Sequence, residues 1–220
     1  MQMRKKSDSV SFERPPISHA PSGFNGRLIS WNGLLEAGFA AWEFLPGMRF
    51  LERAAWWRGG SDRGGVHEGL DICWYRTGDG RRLSLGAGAR IPVIYEGEVV
   101  SVVEDFLGST VFVAHACRDA WGRRLHTIYG HLAPAAGLAP GSPLVDGAAV
   151  GVIAETSGRN VPVPPHVHIS LALVAGGQLS GTRLDWASLR DPTRATLLDP
   201  MSIMSGVAGE RHVPNAPPQG

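Results

Sequence analysis

The sequence predicts a mainly β protein: a compact antiparallel sheet or sandwich with a short helical decoration at its N-terminal side. Three observations carry that expectation. Gly (29) and Pro (16) make up 45 of the 220 residues, so turns must be frequent. Between the turns lie short Val/Ile-rich runs, each the length of a strand. One of these, STVFVAHA (109–116), alternates, with Val111, Val113 and His115 on one face and Phe112 and Ala114 on the other.

Along the chain, residues 1–26 are polar, basic and broken by Pro15, Pro16, Pro21 and Gly23, and are expected to lack fixed structure. In 30–44, Leu34, Leu35, Phe39 and Trp42 have loosely helical spacing, and Pro46 and Gly47 would stop such a helix. A Gly/Arg-rich loop (57–65) then leads into strands. LDICWY (70–75) reads as one strand, while IPVIY (91–95) and EVVSVV (98–103) flank Glu96 and Gly97 as a tight hairpin. The run 109–116, a turn at 117–122, RRLHTIYGHL (123–132), AAVGVIA (148–154) and HVHISLALV (166–174) follow. Residues 205–220 are again expected to lack fixed structure. The domain expected is therefore 27–204, with a decoration over 27–57 and a core over 58–204. Trp31, Trp42, Trp56 and Trp57 are too many aromatics for a solvated linker, so 27–57 should pack on the β core.

Charge and composition exclude several functions. With 21 basic against 20 acidic side chains the net charge is +1, which gives no electrostatic footprint for nucleic acid. No run of 18 apolar residues occurs, so no transmembrane helix is expected. The basic start (1–6) is not followed by the apolar run of a secretory signal. Cys73 and Cys117 could form one disulfide at most, and both sit in apolar runs that favour reduced, buried thiols. Compartment and oligomeric state are not set by the sequence.

Three clusters could carry chemistry. In VHEGLD, His67 and Asp71 are four apart, but the surrounding Gly64, Gly65 and Gly69 argue against a helix. On a straight strand their Cα atoms would stand about 13 Å apart, too far to share one ion. Gly69 can supply the bend that closes the gap. In PHVH, His166 and His168 are two apart on a strand, so both imidazoles project from one face. One can bind a metal while the other reaches a water or substrate on the same ion. In TIYGHL, His131 stands at a strand end before a Pro-containing loop. His115 and His126 read as structural. Cys73 would share a face with Asp71, although its apolar neighbours favour a core role. Two imidazoles and a carboxylate leave a fourth position open, which is the pattern of catalytic zinc rather than structural zinc.

The order HEGLD, YGHL, PHVH resembles the lysostaphin/LytM-type zinc endopeptidases, whose signatures are H-x-G-x-D, Y-x-H-L and P-H-x-H. All three occur here in that order, and the resemblance extends over roughly residues 48–204, including ARIPVIYEGEVVSVV before the central strand and LLDPMSIM near the end. It implies a small antiparallel β domain with a groove crossing one sheet. It also implies one zinc ion held by His67, Asp71 and His168, flanked by His131 and His166 as the catalytic pair. The implied activity is hydrolysis of peptide bonds in peptidoglycan stems or cross-bridges, which would place the substrate at the cell envelope. The sequence departs from the family in three places. AETSGRNVPVP (154–164) is bulkier than the usual Gly-rich turn, Ile169 and Ser170 follow the last motif, and no Tyr occurs in 58–66. None of these touches the metal positions. One rival reading is a catalytically weak zinc-binding regulatory or wall-binding domain. Another is a phosphotransfer-type β domain with paired histidines, in whose chemistry H-x-G-x-D has no role.

Overall fold

The structure, a computed structural model, describes residues 22–157, 162–175 and 184–204. In chain order it forms α1 (Phe24–Trp31), β1 (Phe39–Glu43), β2 (Ala54–Ala55), a short 3-10 turn (Trp56–Arg58), β3 (Ser61–Asp62) and β4 (Leu70–Ile72). Next come β5 (Trp74–Thr77), β6 (Arg82–Ser84), β7 (Arg90–Pro92), β8 (Gly97–Glu104), β9 (Ser109–Arg118) and β10 (Arg124–Pro134). After these follow β11 (Pro143–Leu144), β12 (Ala149–Ile153), β13 (Val167–Val174), α2 (Trp186–Arg190), β14 (Ala195–Leu198) and α3 (Met201–Met204). The fold class is the expected one: mostly β, with every ladder antiparallel.

The long alternating runs occupy the centre. The main sheet has the order β11-β8-β9-β10-β12-β7. Strand β13 joins it beside β10 and carries β4 and β14 as its other partners. Strand β10 changes partner part-way along one edge. Arg124 to Gly130 pair with β13, whereas Leu132 to Pro134 pair with β12. His131 lies at the change, and its pairing with β9 also slips there, between Tyr129 and Leu132. Its φ is 65°, left-handed and sterically costly for a residue with a Cβ.

Apolar side chains fill both faces of this sheet. One core holds Ile72, Ile91, Val111, Val113, Tyr129 and Ile169, and takes in Phe24, Leu28 and Ile29 of α1. The opposite core, with Phe112, Ile128, Ala172 and Val174, is covered by Trp186 and Leu189 of α2. A third cluster joins Met48, Trp56, Cys73 and Leu107. Both cysteines are free, and burial pushes the Cys73 thiol up to about 12, so it serves as core.

Four local expectations are corrected. Helix α1 begins at Phe24, inside the stretch expected to lack structure, because Phe24, Leu28 and Ile29 present one apolar stripe to the core. Residues 1–21 and 205–220 lie outside the described residues. The helix expected over 30–44 ends at Trp31. Gly33 and Gly38 turn the chain with positive φ, and Phe39 and Trp42 enter β1, packing around Tyr75. LDICWY divides at Cys73, sending β4 to β13 and β5 to a separate sheet with β1 and β6. The 91–103 segment is no hairpin: β7 pairs with β12 and β8 with β9. The donors of the intervening turn are used elsewhere, Val93 N–H by the Ala148 carbonyl and Ile94 N–H by the Tyr129 hydroxyl.

Candidate metal centre

The site begins as a row across three strands. In the β4–β13 ladder Asp71 stands opposite His168, and in the β13–β10 ladder His168 stands opposite Gly130. Cross-strand partners share a face, so the carboxylate and imidazole meet directly. Gly130 leaves room for them, since a Cβ there would come within 3.3 Å of the His168 Cβ. His166, two residues before His168, projects to the same side, and its Nε2 lies 3.8 Å from Asp71 Oδ1.

His67 arrives from the loop before β4. Its Nε2 is 3.2 Å from Asp71 Oδ1 and 3.0 Å from His168 Nδ1. Gly69 makes the approach possible: a Cβ at this position would stand 2.2 Å from the Ile169 carbonyl oxygen and 2.7 Å from His168 Nε2. The glycine is thus required by close packing as well as by the bend.

The three donor atoms, His67 Nε2, Asp71 Oδ1 and His168 Nδ1, form a nearly equilateral triangle with edges of 3.2, 2.9 and 3.0 Å. All three residues are buried. A zinc ion about 2.0–2.1 Å from each donor needs donor–donor edges of roughly 3.3 Å in tetrahedral geometry, so the triangle fits with a few tenths of an ångström of expansion. The protonation pattern fits as well. His67 Nδ1 donates to the Arg49 carbonyl at 3.1 Å, which leaves Nε2 as a lone pair. The Ser170 hydroxyl oxygen, 2.8 Å from His168 Nε2, can accept a hydrogen bond from Nε2–H, which leaves Nδ1 as another lone pair. Two lone pairs and a carboxylate aimed at one point require a cation or shared protons between them. Among the described residues no other group of His, Cys, Asp or Glu converges in this way.

The surroundings set the charges. Burial alone would raise Asp71, but His67, His166 and the His168 hydrogen bond hold it well below the usual carboxylate range. Its second oxygen, Oδ2, accepts the Trp56 indole N–H at 2.8 Å, which reserves Oδ1 for the centre. Burial lowers His168, and lowers His166 to about 4 against the opposing pull of Asp71. His166 Nδ1 donates to the Pro164 carbonyl at 2.8 Å. His131 stacks edge-on to His166, with ring centroids 4.8 Å apart, and 6.1 Å from His168. Its Nδ1 is 3.1 Å from Asp105 Oδ1.

The structure therefore brings together all five residues singled out in the sequence: His67, Asp71, His131, His166 and His168. His115 and His126 lie within the sheets away from them, and Cys73 does not join the donors. Sequence reasoning missed the partners. Trp56, Ser170, Asp105, Trp186 and the Arg49 carbonyl all act on the five. Ser170, one of the departures from the family pattern, is the outer partner of His168. The loop 154–164 is described only in part, residues 158–161 lying outside the described ones.

The chain is similar to several solved structures. Lysostaphin, from an NMR solution structure, is 16% identical over 81% of this chain and 61% of its own, with a TM-score of 0.42. A putative glycyl-glycine endopeptidase lytM from Ruminococcus gnavus is 18% identical over 87% and 74%, with a TM-score of 0.40. The catalytic domain of the prophage-encoded M23 protein EnpA from Enterococcus faecalis, in a mutant form, is 24% identical over 67% and 94%, with a TM-score of 0.36. This chain thus spans less than two thirds of the lysostaphin chain. No protein-family model and no curated protein matches. What the protein does must therefore be read from the residues of its site.

Proposed function

We propose that this protein is a zinc-dependent endopeptidase acting on peptide bonds of peptidoglycan stems or cross-bridges. The observation that supports this most is the triangle of His67 Nε2, Asp71 Oδ1 and His168 Nδ1, flanked by two further imidazoles, His166 3.8 Å from Asp71 Oδ1 and His131 packed against His166. In this reading His67, Asp71 and His168 hold the ion, which when bound acts as a Lewis acid on a carbonyl and acidifies a water. His131 and His166 do the proton work. Each has Nδ1 committed to an acceptor, Asp105 for His131 and the Pro164 carbonyl for His166. Each therefore offers Nε2 to take a proton and later return it to a leaving amine, or to donate to a developing oxyanion once charged. The Trp56 ring packs edge-on against His166 and the Trp186 ring against His168, so apolar surface flanks both a proposed ligand and a proposed proton carrier.

Elemental analysis of purified protein, paired with a peptidoglycan digest assayed for new amine ends, tests the reading. One zinc per chain with new amine ends is the expected result. Zinc without cleavage would make the domain a binder, and protein that takes up no zinc would end the proposal.

A further inference from the structure

Asp105 belongs to none of the sequence motifs, yet it is among the most heavily engaged side chains in the molecule. It lies in the turn between β8 and β9. Its Oδ1 accepts the N–H groups of Leu107 and Gly108, both at 2.8 Å. Its Oδ2 accepts the Thr110 hydroxyl at 2.7 Å and the backbone N–H of His131 at 3.0 Å. Oδ1 also faces His131 Nδ1 at 3.1 Å. Every one of these partners can donate, and an ionised carboxylate can only accept, so Nδ1 of His131 carries the proton. That leaves Nε2 unprotonated on a ring whose centroid is 4.8 Å from that of His166 and 6.1 Å from that of His168.

The same carboxylate also holds the backbone. His131 is one of two non-glycine residues with positive φ among the described residues, and it stands where β10 exchanges β13 for β12. At this point its N–H has left the regular ladder and is taken by Asp105, while its carbonyl accepts from Ala154 N–H at 2.9 Å. A strained backbone persists only where its surroundings over-determine it, and such positions cluster at working sites. The chain of contacts runs on: Thr110, which donates to Asp105, also accepts the Trp186 indole N–H at 3.2 Å, and Trp186 packs edge-on against His168. His166 has no equivalent, since its Nδ1 meets a neutral carbonyl.

We propose that Asp105 is the positioning residue of His131, fixing both its left-handed backbone and the ring tautomer that presents Nε2 to the metal centre. The kinetic part of this rests on the endopeptidase reading; the tautomer does not. A simple turn-closing role, which the Leu107 and Gly108 hydrogen bonds also serve, makes different predictions.

The test uses the zinc-loaded protein, its Asp105→Ala, Asp105→Asn and His131→Ala variants, and the double variant. Asp105→Ala should lower kcat by about 10- to 100-fold, with KM and zinc content nearly unchanged. Asp105→Asn should recover part of the loss, because its amide oxygen still accepts from Nδ1–H. The double variant should be no slower than His131→Ala alone, because both changes remove one function. Independently, long-range 1H–15N spectra of the unmutated protein should show His131 protonated on Nδ1, and the Asn variant should weaken that preference. His131 carrying its proton on Nε2, or a double variant losing the product of the two single effects, would overturn the proposal. If Asp105→Ala fails to fold, the spectrum of the unmutated protein and the Asn variant still decide. If the unmutated protein cleaves nothing, the endopeptidase reading falls, while the tautomer spectrum continues to uphold or overturn the role of Asp105.

Discussion

The two halves of the site are built by different means. On the metal side, Asp71 and His168 are directly opposed partners on adjacent strands, and His67 reaches them through a glycine bend. On the acid–base side, His131 sits at a break in the ladder, held by a turn carboxylate, and His166 precedes its strand, held by a proline carbonyl. Register therefore places two of the three proposed ligands and a glycine bend the third, whereas acceptors in a turn and a loop orient the two proposed proton carriers. A ladder is cooperative and resists displacement; a side chain held by one acceptor depends on that acceptor. The metal half should thus fail by losing its ion, and the other half by losing rate with the ion still in place.

The largest effect tests this division. Replacing His67, Asp71 or His168 with Ala should lower zinc affinity severely and take activity to background, since each removes one of three protein donors. Elemental analysis after dialysis reads the loss directly. Next in size, His131→Ala and His166→Ala should leave zinc bound and depress turnover by roughly 10²–10⁴-fold, the usual scale for a positioned acid–base group. His166 and His168, two residues apart on one face, should thus give opposite metal phenotypes. A His166→Ala protein that loses its zinc while His168→Ala keeps it would break the comparison.

What the sequence revealed follows the same line. Period-two spacing made His166 and His168 neighbours on one face, and the motifs brought in His67, Asp71 and His131. Strand runs such as 109–116 and 123–132 were legible because alternation records burial on two faces. Legibility ended where local chemistry stops being periodic. Asp105 lies 26 residues before His131, and nothing in EDFLGS marks its carboxylate as the acceptor for that distant ring. Trp56 sits 15 residues before Asp71, in a segment whose aromatics called for packing but gave no partner. The supposed hairpin at 91–103 failed for the same reason: turn chemistry between two apolar runs does not say which strand each run will meet.

A smaller effect sharpens the contrast from the metal side. Trp56→Phe keeps an aromatic ring at this position and removes, with the five-membered part of the indole, the N–H that Asp71 Oδ2 accepts. Zinc affinity should fall by about 10- to 100-fold, the scale typical of outer partners of a metal ligand. Competition with a chelator of known affinity measures it. Turnover at saturating zinc should stay close to that of the unmutated protein. An unchanged affinity would show that Asp71 keeps its orientation without the indole hydrogen bond, through its strand and Arg63, whose guanidinium lies 3.9 Å from Oδ2.

The smallest effect comes from His126, a histidine on the same strand as His131 that takes no part in the site. It is buried, with Nδ1 donating to the Arg124 carbonyl at 3.0 Å and Nε2 without a hydrogen-bond partner among the described residues. Burial, together with Arg124, His115 and Arg118 nearby, lowers it to about 4. A histidine held neutral in the fold but free to protonate when unfolded contributes stability that is complete above its unfolded pKa of about 6.5 and is lost as pH falls toward 4. Between pH 7 and 5.5 this should remove about 1 kcal/mol from the free energy of unfolding. His126→Phe abolishes that titration and the unpaired nitrogen together, so its unfolding free energy should fall less steeply over the same interval while zinc content and turnover stay unchanged. Parallel pH–stability curves for the two proteins would mean that His126 binds its proton equally well in the folded and unfolded states. Loss of turnover in the Phe variant would mean that β10 transmits packing changes to His131, and that the acid–base half depends on its ladder after all.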